Sequence, residues 1–289
     1  MKNRTVLRIN LREQKGTYLK IPEIHNYIGG EPVAIFLLSK FKKNENIDEP
    51  YVSFTSGPFN GLFPYASKGV FLESIGKEYT INIGGGKLPS LMNFANIDTI
   101  EIIGKAKKPV YVVINNKDIK IIEVNKDTKL ESFGISGKRS QIIYTNENIL
   151  VDNYFKYSIQ SRAFTKNNLK GISFSPITNK PIGDKEQYLE LYKKLLDRQK
   201  ELTVSSGSNP SCFGCPMGCA FSSNIEDINV SILPRALVSC GFAENIYNDI
   251  NTVFACFQVL KYDYNHDFLE AFAFKMGEFF KDFKNYLNS

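Results

Sequence analysis

TIEIIGKAKKPVYVVINNKDIKIIEV, Thr99–Val124, carries three β segments in one run. The β-branched residues of TIEIIG, VYVVI and IKIIEV suit the pleated surface of a sheet. Lysines and Pro109 break the first segment from the second. NNKD, between the second and the third, has turn chemistry and predicts a hairpin. Outward from this run, toward the N-terminus, the same grain recurs in TVLRINL (Thr5–Leu11), YVSFT (Tyr51–Thr55), GVFLES (Gly69–Ser74) and YTINI (Tyr79–Ile83). EPVAIFLLSKF (Glu31–Phe41), after Gly29–Gly30, reads as a helix.

Toward the C-terminus the period changes. DKEQYLELYKKLLDRQKEL sets Tyr188, Leu191, Tyr192, Leu195 and Leu196 on one helical face, with Asp184 as its N-cap. PRALVSCGFAE, INTVFACFQVLKY and DFLEAFAFKMGEFFKDFKNYL continue the helical pattern. SPITNKPIGD (Ser175–Asp184), with two prolines and a glycine, marks a boundary near 176–184. The expectation is an α+β chain: a β-rich domain over 1–176, then a helical domain over 184–289. No internal repeat is visible.

The formal net charge of +6 is spread along the chain, and clusters such as KFKKNEN and GKAKKP are short. No basic run is interleaved with aromatics, so nucleic acid is not an expected partner. MKNRTVLRIN lacks the apolar core of a signal peptide, and no stretch approaches the roughly 18 apolar residues of a membrane span. A soluble, cytoplasmic protein is expected.

Three of the five cysteines crowd into CFGCPMGC, as Cys212, Cys215 and Cys219. Clustered thiols without a secretory leader point to metal chemistry before disulfides. Soft thiolates suit zinc or an iron–sulfur cluster. Gly214, Gly218 and Pro216 let a short loop fold back so that several sulfurs face one centre. A haem site needs C-x-x-C-H, and Pro216 follows Cys215 instead. A zinc finger needs a second ligand pair, which is missing, and His25 and His266 are isolated. A four-iron cluster takes four ligands. Cys240 and Cys256 are the remaining thiols. Each also reads as a small buried apolar residue; Cys240 is the candidate fourth ligand.

With these residues in view, the chain resembles the aldehyde:ferredoxin oxidoreductase family of tungsten-pterin enzymes from anaerobes. CFGCPMGC resembles the family's cluster-binding loop. YIGGEPVAIFLL (Tyr27–Leu38), YVSFTSGPFNGLFP (Tyr51–Pro64), IDTIEIIGKAKKPVYVVI (Ile97–Ile114) and KNNLKGI (Lys166–Ile172) resemble family segments in the same order. The resemblance implies a β platform beneath a bis-pterin tungsten cofactor, and a 4Fe–4S cluster that passes electrons to ferredoxin. Carried over position by position, it implies pterin contacts at Lys68, Asn82, Gly84 and Glu147. It also implies oxidation of an aldehyde, or reduction of a carboxylic acid.

The departures are substantial. Both DxxGL pterin motifs and the family's fourth cluster cysteine lie in a C-terminal domain with no counterpart here. The family's catalytic acid has no match near Pro234–Arg235. No catalytic residue is identifiable; Glu147 and Tyr144 are the titratable groups near the motifs. Three readings follow. The chain is a redox subunit that shares a tungsten- or molybdenum-pterin with a partner chain. Alternatively it is a stand-alone 4Fe–4S electron-transfer protein, or an inactive partner-binding relative. The missing domain predicts apolar surface at NVSILPRALV and around Phe272–Phe280, offered to a partner subunit or a second copy.

Overall fold

The structure is a computed structural model and describes residues 4–44, 48–116, 118–145, 148–158, 161–177, 182–223 and 230–289. Two mixed sheets form the N-terminal part. The first contains β1 (Thr5–Asn10), β2 (Lys15–Lys20), β3 (Tyr51–Thr55), β4 (Gly69–Ile75), β5 (Glu78–Gly84) and β6 (Thr99–Ile103), in the order β2-β1-β6-β3-β4-β5. The second contains β7 (Val110–Asn115), β8 (Asp118–Glu123), β9 (Ser140–Tyr144), β10 (Ile149–Val151), β11 (Phe155–Ser158) and β12 (Leu169–Ser175), in the order β11-β10-β9-β12-β7-β8. Read from its other edge, the second order is the first with six added to every strand number. Each sheet has one parallel pair, β1 with β6 and β7 with β12. A short helix precedes the last strand of each, α2 (Leu88–Phe94) before β6 and α3 (Arg162–Asn167) before β12. The β part is therefore a duplicated topology. The two copies share connectivity without a readable sequence period.

The strands face one another across a common core. Leu7, Ile9, Val52, Phe54, Phe71, Ile100 and Ile102 of the first sheet pack with Val110, Val112, Ile114, Ile142, Ile172 and Phe174 of the second. The outer face of the first sheet is also covered. Tyr51, Val70, Leu72 and Ile103 pack on Ala34, Ile35, Leu38 and Phe41 of α1 (Gly30–Asn44). Burial on both faces explains why TIEII and YVSFT are buried throughout. The predicted hairpin forms, with Ile114 opposite Ile119 and Asn115 opposite Asp118.

The helices follow as α4 (Lys185–Asp197), α5 (Ile232–Leu237), α6 (Glu244–Tyr247), α7 (Ile250–Val259) and α8 (His266–Asn288). Asp184 caps α4 as predicted, its carboxylate accepting from the N–H groups of Glu186 and Gln187 at 3.0 Å each. Residues 178–181 of the boundary segment lie outside the described residues. The helices share a core with the β3–β4 connection: Phe59, Leu62, Phe63 and Tyr65 pack with Tyr247, Val253, Phe257 and Leu269. The predicted apolar face is spent inside the chain. Leu233, Ala236 and Leu237 of α5 and Phe272, Met276 and Phe283 of α8 are buried, whereas Phe274 stands out at 74% exposure. No helix among the described residues is long and apolar enough to cross a membrane.

The contact that positions the later site joins α5 to the sheet. A Cβ on Gly57 would lie 2.3 Å from the Leu237 carbonyl oxygen, and one on Gly30, at φ +50°, 2.1 Å from that of Arg235. Backbone touches backbone there, and only glycine leaves the room. Arg235 also pairs with Glu31 of α1 at 2.7 Å. Gly57→Ala drives a methyl into a carbonyl that cannot swing away, so a loss of about 1–3 kcal/mol is expected. An unchanged urea midpoint for that variant refutes the contact.

Candidate functional site

CFGCPMGC lies between the two cores. Cys212 packs into the core between the sheets, Cys219 into the helical core, and Cys215 borders both. The local fold follows from its glycines. The Cys215 N–H donates to the Cys212 carbonyl at 2.9 Å, closing a four-residue turn whose third residue, Gly214, has φ +83°. The returning arm is tied to the preceding strand-like segment. The Gly207 N–H donates to the Met217 carbonyl at 2.9 Å, and the Asn209 N–H to the Gly218 carbonyl at 3.0 Å. Ser211 Oγ accepts from the Gly218 N–H at 2.9 Å.

The loop folds over a small, partly open pocket with a cavity volume of about 20 Å³. Cys212, Cys215, Cys219 and Cys240 all line it, with Lys68, Ser67, Tyr65 and Met217. None of these four cysteines is in a disulfide. Lys68 is 1% exposed although it carries an ammonium group. Ser67, also 1% exposed, has no hydrogen-bond partner for its hydroxyl among the described residues. A buried polar atom left unsatisfied calls for an explanation, and a missing ligand is one. Burial pushes the Cys215 thiol up to about 11; Cys212 and Cys219 add to the rise, while the Met217 backbone and Lys68 oppose it. Without a metal, Cys215 is therefore a protonated thiol at neutral pH.

Among the described residues, no group of three or more His, Cys, Asp or Glu side chains is drawn tightly enough around one point to hold a single metal ion. The donor set fits a cluster better: thiols spread round a cavity, with no carboxylate or imidazole among its lining residues. Cys256 is not one of those residues. It is fully buried on α7, and burial raises its thiol far above the ordinary range. His25 stacks on Tyr264, and His266 contacts Glu270 on the surface of α8.

The residues matched to pterin contacts are only partly brought together. Gly84 lies opposite Gly69 in the β4–β5 ladder, next to Lys68, and Asn82 lies opposite Phe71. Gly85 reaches the thiols, since a Cβ there would lie 2.7 Å from Cys212 Sγ. Gly84 is closed over: a Cβ on it would lie 3.0 Å from the Tyr157 ring. The Tyr157 hydroxyl donates to the Gly84 and Gly85 carbonyls at 3.0 and 2.9 Å. These positions offer no open cradle for a pterin. Glu147 lies outside the described residues. Tyr144 is a structural partner of Thr165, at 2.9 Å. Sequence reasoning missed Ser67 and Tyr157. A lone serine and a lone tyrosine carry no motif, and their roles come from tertiary placement.

The family model for the aldehyde ferredoxin oxidoreductase N-terminal domain matches residues 6–142. Comparison with curated proteins gives no match. Among solved structures, the active-site complex BamBC of benzoyl coenzyme A reductase, in complex with 1,5-dienoyl-CoA, aligns with a TM-score of 0.59 at 13% identity. The match covers 89% of this chain and 55% of that one, and at this identity it is a likeness of fold.

Tyr157→Phe leaves two buried carbonyls without their donor. It is expected to cost roughly 1–3 kcal/mol in urea denaturation. A variant as stable as the parent would show that Gly84 and Gly85 do not depend on this hydroxyl.

Proposed function

From the match of residues 6–142 to the aldehyde ferredoxin oxidoreductase N-terminal domain, we propose that the chain is an iron–sulfur redox subunit. In this reading Cys212, Cys215 and Cys219 hold a 4Fe–4S cluster. The chain relays electrons for aldehyde or carboxylate chemistry completed with a partner chain. The observation that carries the reading is the buried cavity those three thiols share with Lys68 and Ser67.

A bound cluster supplies one-electron transfer, at a potential set by charge, hydrogen bonds to its sulfurs and exposure to water. The chain's own residues supply the rest. Tyr65, Leu202, Val204 and Met217 give the pocket an apolar lining beside the thiols. The Lys68 cation lowers the proton affinity of Cys215 and so assists release of the thiol proton when a metal binds. The Ser67 hydroxyl is a donor with nothing yet to donate to. The two backbone bonds from Gly207 and Asn209 hold the loop in place before any metal arrives. A single zinc ion would need all its ligands at about 2.3 Å from one point, and the thiols are not gathered that way.

No step is derived through a pterin, because Tyr157 occupies the ground beside Gly84 and Gly85. In this reading a tungsten- or molybdenum-pterin is held chiefly by the partner chain. Support for a partner is that the matched structure is itself a complex. A ferredoxin-type electron partner is drawn from the family resemblance.

Protein purified without oxygen is expected to be brown and to contain about four irons and as many acid-labile sulfides per chain. Cys215→Ala should lose most of both. Wild-type protein that stays colourless after anaerobic reconstitution with iron and sulfide would end the proposal. Tungsten or molybdenum should appear only in preparations that retain a second chain.

A further inference from the structure

We infer that Cys240 is the fourth ligand, so that the cluster site is complete within this chain and needs no cysteine from a further domain or partner. The inference rests on the iron–sulfur reading above and deepens it. Cys240 lines the same cavity as Cys212, Cys215 and Cys219, although it comes from a different part of the fold. The other remaining thiol, Cys256, is sealed in the helical core. The other side chains lining the cavity offer hydroxyls, a thioether and an ammonium, none of which matches a thiolate for iron.

The backbone is built to deliver this residue. Helix α5 ends at Leu237, and Val238 takes φ +52° and ψ +43°. A β-branched residue pays for a left-handed conformation and keeps it only where its surroundings impose it. Here they do. Val238 is buried against the close approach of Gly30 and Gly57, and its carbonyl accepts from the Lys68 N–H at 3.2 Å. The Ser239 N–H donates back to the Pro234 carbonyl at 3.2 Å. The Cys240 N–H then donates to the Tyr65 carbonyl at 2.8 Å. Two backbone bonds thus lash the segment 238–240 to the segment 65–68, which contributes Tyr65, Ser67 and Lys68 to the cavity. The reversal at Val238 turns the chain away from the axis of α5 and brings Cys240 to the cavity wall. On metal binding, each of the four thiols gives up its proton as its sulfur bonds to iron.

The test compares Cys240→Ser with Cys256→Ser, each purified and reconstituted without oxygen. Iron, sulfide and low-temperature electron paramagnetic resonance are the readouts. Cys256→Ser should match the wild type at about four irons. Cys240→Ser should fall to roughly three irons or fewer, with loss of the four-iron signal. Four irons and an unchanged signal in Cys240→Ser would overturn the assignment while leaving the iron–sulfur reading intact. An iron-free wild type would instead sink that reading itself. A second measurement needs no variant: iodoacetamide labelling of wild type, before and after iron is stripped by a chelator. Cys240 should be protected and then released together with Cys212, Cys215 and Cys219. Equal labelling of Cys240 in both states would refute its role.

Discussion

The site depends on one steric constraint: the backbone of Gly30 and Gly57 lies directly against the last carbonyls of α5. That contact leaves no space for a side chain and fixes where α5 ends relative to the first sheet. The position of Val238 follows, and with it the reach of Cys240 toward the loop of the other three thiols. The connection Gly57–Lys68 is the shared part. Its glycine touches α5, its aromatics Phe59 and Phe63 pack into the helical core, and its last residues wall the cavity. The sheet and the helices therefore position the thiols jointly, and neither could do so alone.

Much of this was legible in residue order. Strands buried on both faces, such as β6 and β7, announce themselves as unbroken β-branched runs. The β7–β8 hairpin and the Asp184 cap are local chemistry, so local reasoning found them. β2 escaped notice because KGTYLK is largely exposed and shows no apolar face. β10 and β11 are three and four residues long, too short for a period to emerge. The duplicated topology was invisible for a different reason. Matching connectivity in the two sheets requires matching positions of turns and cores, not matching residues. The apolar side of α8 was legible as apolar, but its partner was not, because that partner is the chain's own helical core at Leu269, Phe272 and Met276, and α1 with the first sheet at Phe283 and Leu287.

At the site the same division holds. The three-thiol loop could be read from spacing, since its turn is local and Gly214 supplies the positive φ it needs. Cys240 could be named from sequence only as a remaining thiol; its place beside the other three depends on a left-handed valine and on contacts between segments far apart in sequence. Nor could Lys68 be placed. As a residue in a chain of net charge +6 it reads as solvated surface, yet it is among the most deeply buried side chains. Resemblance carried Lys68 toward a pterin role, whereas its position puts it beside the thiols.

That position has an electrostatic consequence. A buried ammonium is costly unless negative charge accompanies it. Among the described residues that line the pocket, the cysteine thiols are the acidic groups beside Lys68. The attraction between the cation and a thiolate there runs both ways, and burial weakens its screening. Lys68 opposes the upward push that burial gives the Cys215 thiol, and a cation there favours the more negative form of any group bound beside it. The Ser67 hydroxyl acts in the same direction by offering a donor to that charge. Both residues come from the segment that the Val238 reversal clasps. The segment that brings Cys240 to the pocket thus also clasps the segment that carries the cation and the donor.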